Sequence, residues 1–155
     1  MTTETSQLLK KNLCTMGLFF AFFLVLAGIG YLTGRTYENG VKASAATVLD
    51  AWNAKAPEPG ERVSSIRGGW SFSHVWTAMN GSRKTGLVFA VRVTGNSGPY
   101  TGIFLYTPEN GAVFCGLAGM TDPARDPASC GITDRILSQW IRKINRLAAV
   151  SEKTE

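Results

Sequence analysis

Hydrophobic positions along this chain change their period three times. From Asn12 to Gly34 there is no charged residue, and the centre of that run, GLFFAFFLVLAGIGYL, is apolar almost throughout. As a helix it rises about 1.5 Å per residue, enough to cross roughly 30 Å of hydrocarbon. Farther on, Val41, Ala45, Val48, Leu49 and Trp52 fall on one stripe at helical spacing and predict a short helix over 41–55. Gly34 to Gly40 is expected to break or bend the helix just outside the membrane, and Ala56-Pro57-Glu58-Pro59-Gly60 to end the helix over 41–55.

The period then drops to two. Val63 to Ile66 reads as a short strand and Trp70 to Met79 as a longer one, with Asn80-Gly81 turning into the next. Leu87 to Val93 alternates apolar residues with a face carrying Arg92. Gly95-Asn96-Ser97-Gly98-Pro99 is a turn, and Tyr100 to Thr107 is the following strand. Pro108-Glu109-Asn110-Gly111 is a tight hairpin turn ahead of Ala112 to Leu117. Three consecutive antiparallel strands are therefore expected between Lys84 and Leu117. After a Gly- and Pro-containing loop, helical spacing returns in Ile136, Leu137, Trp140, Ile141, Ile144 and Leu147. Thr133 stands at the N-cap position and Asp134 in the first turn, which suits the helix dipole. The expected class is α+β: one N-terminal transmembrane helix, then a small domain with an antiparallel sheet and two packing helices.

Each boundary follows from these patterns. Residues 1–11 form a tail, 12–34 the membrane span, 35–60 a juxtamembrane helix and linker, 61–150 the domain and 151–155 a second tail. A cleaved signal peptide is the alternative for the span, but its apolar run exceeds the usual ~7–15 residues and no small-x-small cleavage site follows. A retained anchor is expected. Lys10 and Lys11 flank one side and Arg35 and Lys42 the other, so charge asymmetry is weak, and the short N-terminal tail favours export of the C-terminal part.

Cysteines refine this picture. Cys14 lies in the span, where it packs as a small apolar residue. Cys115 and Cys130 are the two remaining, and an exported domain is expected to join them, closing a loop worth roughly 3 kcal/mol. No zinc spacing exists, and His74 is the single histidine, expected to be structural. The net charge of +5 is thinly spread, densest at Arg135, Arg142, Lys143 and Arg146. These read as a solvated helix face, with anionic lipid or a protein partner as the alternative. Nucleic acid is not an expected partner of an exported domain. Neither a nucleophile elbow nor a Ser/His/Asp set is present, so an accessory or electron-transfer role is expected ahead of stand-alone catalysis.

Gly86, the Val88 to Val93 strand, Gly95-Asn96-Ser97-Gly98-Pro99, Ile103 to Tyr106 and Asn110-Gly111 together resemble the FMN-binding domain of the G subunit of the Rnf complex and the C subunit of the sodium-translocating NADH:quinone reductase. That resemblance covers about residues 70–147. It implies a single anchor in the bacterial inner (cytoplasmic) membrane, a domain outside the cytoplasm, and integral-membrane subunits of an electron-transfer complex as partners. The family's S/T-G-A-T attachment motif has its counterpart in Cys130-Gly131-Ile132-Thr133. By that resemblance Thr133, Gly131 and Ile132 would hold FMN through its phosphate, with Tyr100 and Trp140 flanking the ring. A bland reading stands beside each: Thr133 caps the helix, and the aromatics are core. Likewise the Cys115–Cys130 pair is either a staple or redox-active. The family's H-x-E-T-P-G loop is absent, replaced by Met120-Thr121-Asp122-Pro123-Ala124-Arg125-Asp126-Pro127. A cofactor-free interaction module with a degenerate form of the fold is therefore the alternative to an FMN carrier.

Overall fold

The computed structural model describes residues 3–64, 66, 72–120, 122 and 126–152. Helix α1 (Thr3–Trp52) opens the chain, followed by strands β1 (Glu58–Arg62), β2 (Phe72–Asn80), β3 (Arg83–Gly95), β4 (Gly98–Thr107) and β5 (Gly111–Ala118). A short 3-10 turn (Pro127–Cys130) precedes the last helix, α2 (Asp134–Glu152). By contacts the chain divides into two compact units, Met1–Asn39 and Gly40–Glu155.

In the first unit, α1 carries its large apolar side chains exposed, Leu18 at 75% and Phe20 at 68%. Among the described residues this one helix is long and apolar enough to cross a membrane. The side chain of Cys14 lies outside the described part. The expected break between Gly34 and Gly40 does not occur: the backbone stays helical from Thr3 to Trp52. Glycine costs a helix interior about 1 kcal/mol but keeps both its donor and its acceptor, and no proline lies between them. Thr36 also donates its hydroxyl to the Leu32 carbonyl (3.0 Å), a bond that holds only on helical backbone.

In the second unit the five strands pair in chain order, every neighbour antiparallel. The three strands expected between Lys84 and Leu117 are β3, β4 and β5. The first strand differs from expectation. It is Glu58–Arg62, which begins inside the segment read as a helix terminator, and the described residues 63, 64 and 66 are not in a strand. An edge strand tolerates Pro59, whose missing N–H faces away from the ladder, so proline does not veto it there. Val63 follows the strand and donates its N–H to the Val75 carbonyl (2.8 Å). The expected start of β2 at Trp70 lies outside the described residues.

Period-2 alternation sends β3 side chains to both faces, and both are covered. Leu87, Phe89, Val91 and Val93 join Phe104, Leu117, Ile132 and Ile144 on the α2 side. Val88 and Ala90 join Ala45, Val48, Leu49, Trp76 and Ile103 on the other, under the last turns of α1. The face expected to be the more polar is thus buried except at Arg92, because the Val41 stripe lands on it. Each large side chain so buried contributes roughly 1.5–3 kcal/mol.

β5 carries a bulge. Ile103 pairs with Gly116 and Phe104 with Phe114, which leaves Cys115 without a partner position on β4. The extra residue brings Ala112, Phe114 and Leu117 all to the α2 side despite their odd spacing. Asn145 then fastens α2 to the same strand, its Oδ1 accepting the Ala112 N–H at 2.7 Å.

Candidate functional site

The corner where the 3-10 turn meets α2 holds most of the residues singled out for a ligand. Asp126 caps the turn, its carboxylate accepting the Ala128 N–H (3.0 Å) and its carbonyl the Ser129 N–H (3.1 Å). Gly131 ends the turn at φ 77°, where only glycine rests without strain, and donates to the Ala128 carbonyl (2.9 Å). The β3–β4 turn docks here: Asn96 donates its N–H to the Cys130 carbonyl at 2.9 Å. Its side-chain amide occupies the space a Cβ on Gly131 would need. Beside it the Tyr100 ring packs against Gly95 and the α2-side core. Thr133 is exposed at the head of α2, and its carbonyl takes the N–H groups of Ile136 (2.9 Å) and Leu137 (3.1 Å).

Gly131, Ile132, Thr133 and Tyr100 are thus brought to one end of the sheet. Their roles there are unequal. Ile132 is 1% exposed and points into the core with Ile144 and Leu117. Gly131 gives its open side to Asn96, and Tyr100 is spent on packing. Only Thr133 faces outward, next to the exposed Asp134, whose carboxylate competes with any anion for the amides of the first turn. These residues do not fit a flavin phosphate, since the close backbone approach that Gly131 was expected to offer is filled from within the protein. Trp140 is likewise half-buried against the core, with the Lys143 ammonium 4.8 Å from its ring centroid.

The expected Cys115–Cys130 disulfide is not formed; both are buried free thiols. The reason is topological. Cys115 belongs to the core under α1, and Cys130 to the core under α2, so the sheet itself separates them. Cys115 follows Phe114 by ordinary alternation and so lies on the α1 side. This removes the argument from cysteines for an oxidising compartment.

Burial pushes the Cys115 thiol from its ordinary 9.0 up to about 12, because its thiolate would lose water without gaining a cation; a weak backbone hydrogen bond opposes the shift. The folded chain therefore holds this proton to higher pH than the unfolded chain does. Its share of stability is complete below pH 9.0 and drains away as pH rises toward about 12. Denaturant midpoints measured across that window are expected to fall more steeply for the parent than for Cys115→Ala. Equal slopes would show that the thiol is not held in the core.

His74 is half-buried on the α1 side and stacks on Trp76 (5.4 Å between centroids, 10° between planes). A cleft of about 330 Å³ lies between the last turns of α1 and the start of β1, lined by Leu49, Asp50, Pro57 and Glu58 among others. No group of three or more His, Cys, Asp or Glu side chains placed to hold a metal occurs among the described residues. Sequence reading missed Asn96 and Asn145. The second carried a signal, a lone amide beside Ile144 in an apolar stripe. The first sat in a turn, where asparagine needs no tertiary reason.

An apolar helix of membrane-crossing length, and an open antiparallel meander with a helix on each face, define the class: a small α+β protein built around a five-stranded sheet. A family model described as an uncharacterised protein matches residues 52–154, well over half of the chain. The chain belongs to that family, whose match begins at the last residue of α1 and takes in the whole sheet and α2. No curated protein matches it.

Proposed function

We propose that this chain is a membrane-anchored interaction module, an accessory subunit whose sheet domain docks on integral-membrane partners and carries no flavin. The observation that carries this reading is the use of Gly131, Ile132 and Tyr100 for internal packing, so that of the four residues only Thr133 faces outward. The exposed apolar face of α1 supports the anchor. In this reading the anchor lies in a bacterial cytoplasmic membrane with the domain on its outer side.

Two measurements test it. In carbonate-washed membranes the full chain stays in the pellet, and arginines replacing Leu24 and Ala27, each costing about 2.5–3.5 kcal/mol at mid-membrane, move it to the supernatant. Chain purified from native membranes carries other subunits with it and shows no flavin absorbance. FMN released on denaturation, and absent from Thr133→Ala, would replace this reading with that of an electron carrier.

A further inference from the structure

We infer that the outer face of α2 is an electrostatic docking surface for anionic phospholipid headgroups of the membrane that holds α1. This rests on the anchored reading above.

Successive helical residues turn about 100°, so Arg135, Arg142 and Arg146 lie within about 40° of one another, on the side opposite Ile144. They form a line roughly 16 Å long at about 1.5 Å per residue. All three are exposed, as is Lys143 beside them, whereas Ile144 is 0% exposed in the core. None of the three arginines makes an ion pair among the described residues. The only carboxylates in the helix are Asp134 and Glu152, at its two ends. The stripe is thus a row of guanidinium groups with no carboxylate on α2 between its two ends, and each presents a fork that matches phosphate oxygens.

Two features favour a lipid surface over a protein. Tight protein interfaces centre on buried aromatic and aliphatic anchors. Here the aromatic and branched residues of α2 are turned inward, and the exposed arc offers one bulky apolar side chain, Val150, near the end of the helix. The second feature is the tether. A chain held in a membrane keeps its own domain at high effective concentration beside the headgroups, so contacts too weak for a free protein suffice.

The test uses the full chain in lipid nanodiscs. A fluorescent amino acid replaces Gln139, and an energy acceptor sits on a small fraction of headgroups. In discs containing phosphatidylglycerol, transfer is expected to exceed that in pure phosphatidylcholine discs at about 0.05 M salt, and to fall to the phosphatidylcholine level at about 0.5 M. Each arginine removed lowers the ratio of docked to undocked domain by about 5-fold, so R135Q/R142Q/R146Q reduces it by about 100-fold. Equal transfer in the two kinds of disc overturns the inference while leaving the anchor intact. So does a triple variant that keeps its lipid response, or one that loses only a co-purifying acidic protein. A chain that fails to enter discs overturns both readings. Circular dichroism of the triple variant matches the parent, because none of the three side chains enters the core.

Discussion

Phe89→Ala is expected to lower the unfolding free energy by about 3–5 kcal/mol, a large share of the roughly 5–15 kcal/mol a domain of this size possesses. Phe89 is 0% exposed at the middle of β3, paired with Val75 of β2 on one side and Phe104 of β4 on the other. Its ring is part of the cluster that seats Ile144 and Ala148 of α2. Truncation therefore opens a cavity at the junction of three strands and a helix, where no neighbour can collapse without leaving its own register. Urea unfolding of the full chain in detergent, followed by tryptophan fluorescence, reads the effect as a lower midpoint at unchanged slope. A loss below about 1 kcal/mol would mean that this side of the sheet is not the seat of α2.

Gly86→Val tests a different term, and simple propensity gives the opposite sign. Valine is a better strand residue than glycine and ought to stabilise β3 on that basis alone. In the structure, however, a Cβ at Gly86 overlaps the Tyr106 carbonyl oxygen of β4, and the Tyr106 carbonyl carbon and Thr107 Cα lie 3.1 and 3.3 Å away. These are backbone atoms and cannot rotate aside, so the two strands must part. A destabilisation of about 3 kcal/mol is expected, at the upper end for overpacking. The same denaturation experiment decides it, and a stabilised variant would show that the close approach is relaxed in solution.

Gly86 also shows what the sequence offered. It stands out as part of a pattern resembling an FMN-binding domain, and strand pairing gives the same residues a structural use. Gly86 permits close approach, Gly98 and Pro99 start β4, and Asn110-Gly111 closes a hairpin. An antiparallel meander needs these residues whether or not it binds anything. The last helix has most of its expected inward residues in place, with Ala148 and not Leu147 in the core at its end, because an apolar stripe of that length has one way to be buried. The head of α2 was less legible. Cys130-Gly131-Ile132-Thr133 reads equally as a phosphate cradle or as a 3-10 turn running into a helix. Asn96, distant in sequence, fills the space beside Gly131.

The cysteines failed for a related reason. A separation of about 15 residues says how much entropy a bond would remove, not on which side of a sheet each thiol falls. That was settled by the face each residue takes: Cys115 alternates with Phe114 onto the α1 side, and Cys130 lies in the core under α2.

What the chain's own pattern determined is local: an apolar run long enough to span a membrane, the three central strands and their turns, and most of the inward positions of both helical segments, Trp52 being 43% exposed. Periodicity and turn chemistry act over a few residues and leave their mark on adjacent positions. What the tertiary structure decided is which face each element covers. The end of α1 buries the side of β3 that looked more polar, α2 takes the other, and the sheet between them holds Cys115 and Cys130 apart. Those outcomes depend on contacts between residues far apart in the chain, and a single sequence carries no local record of them.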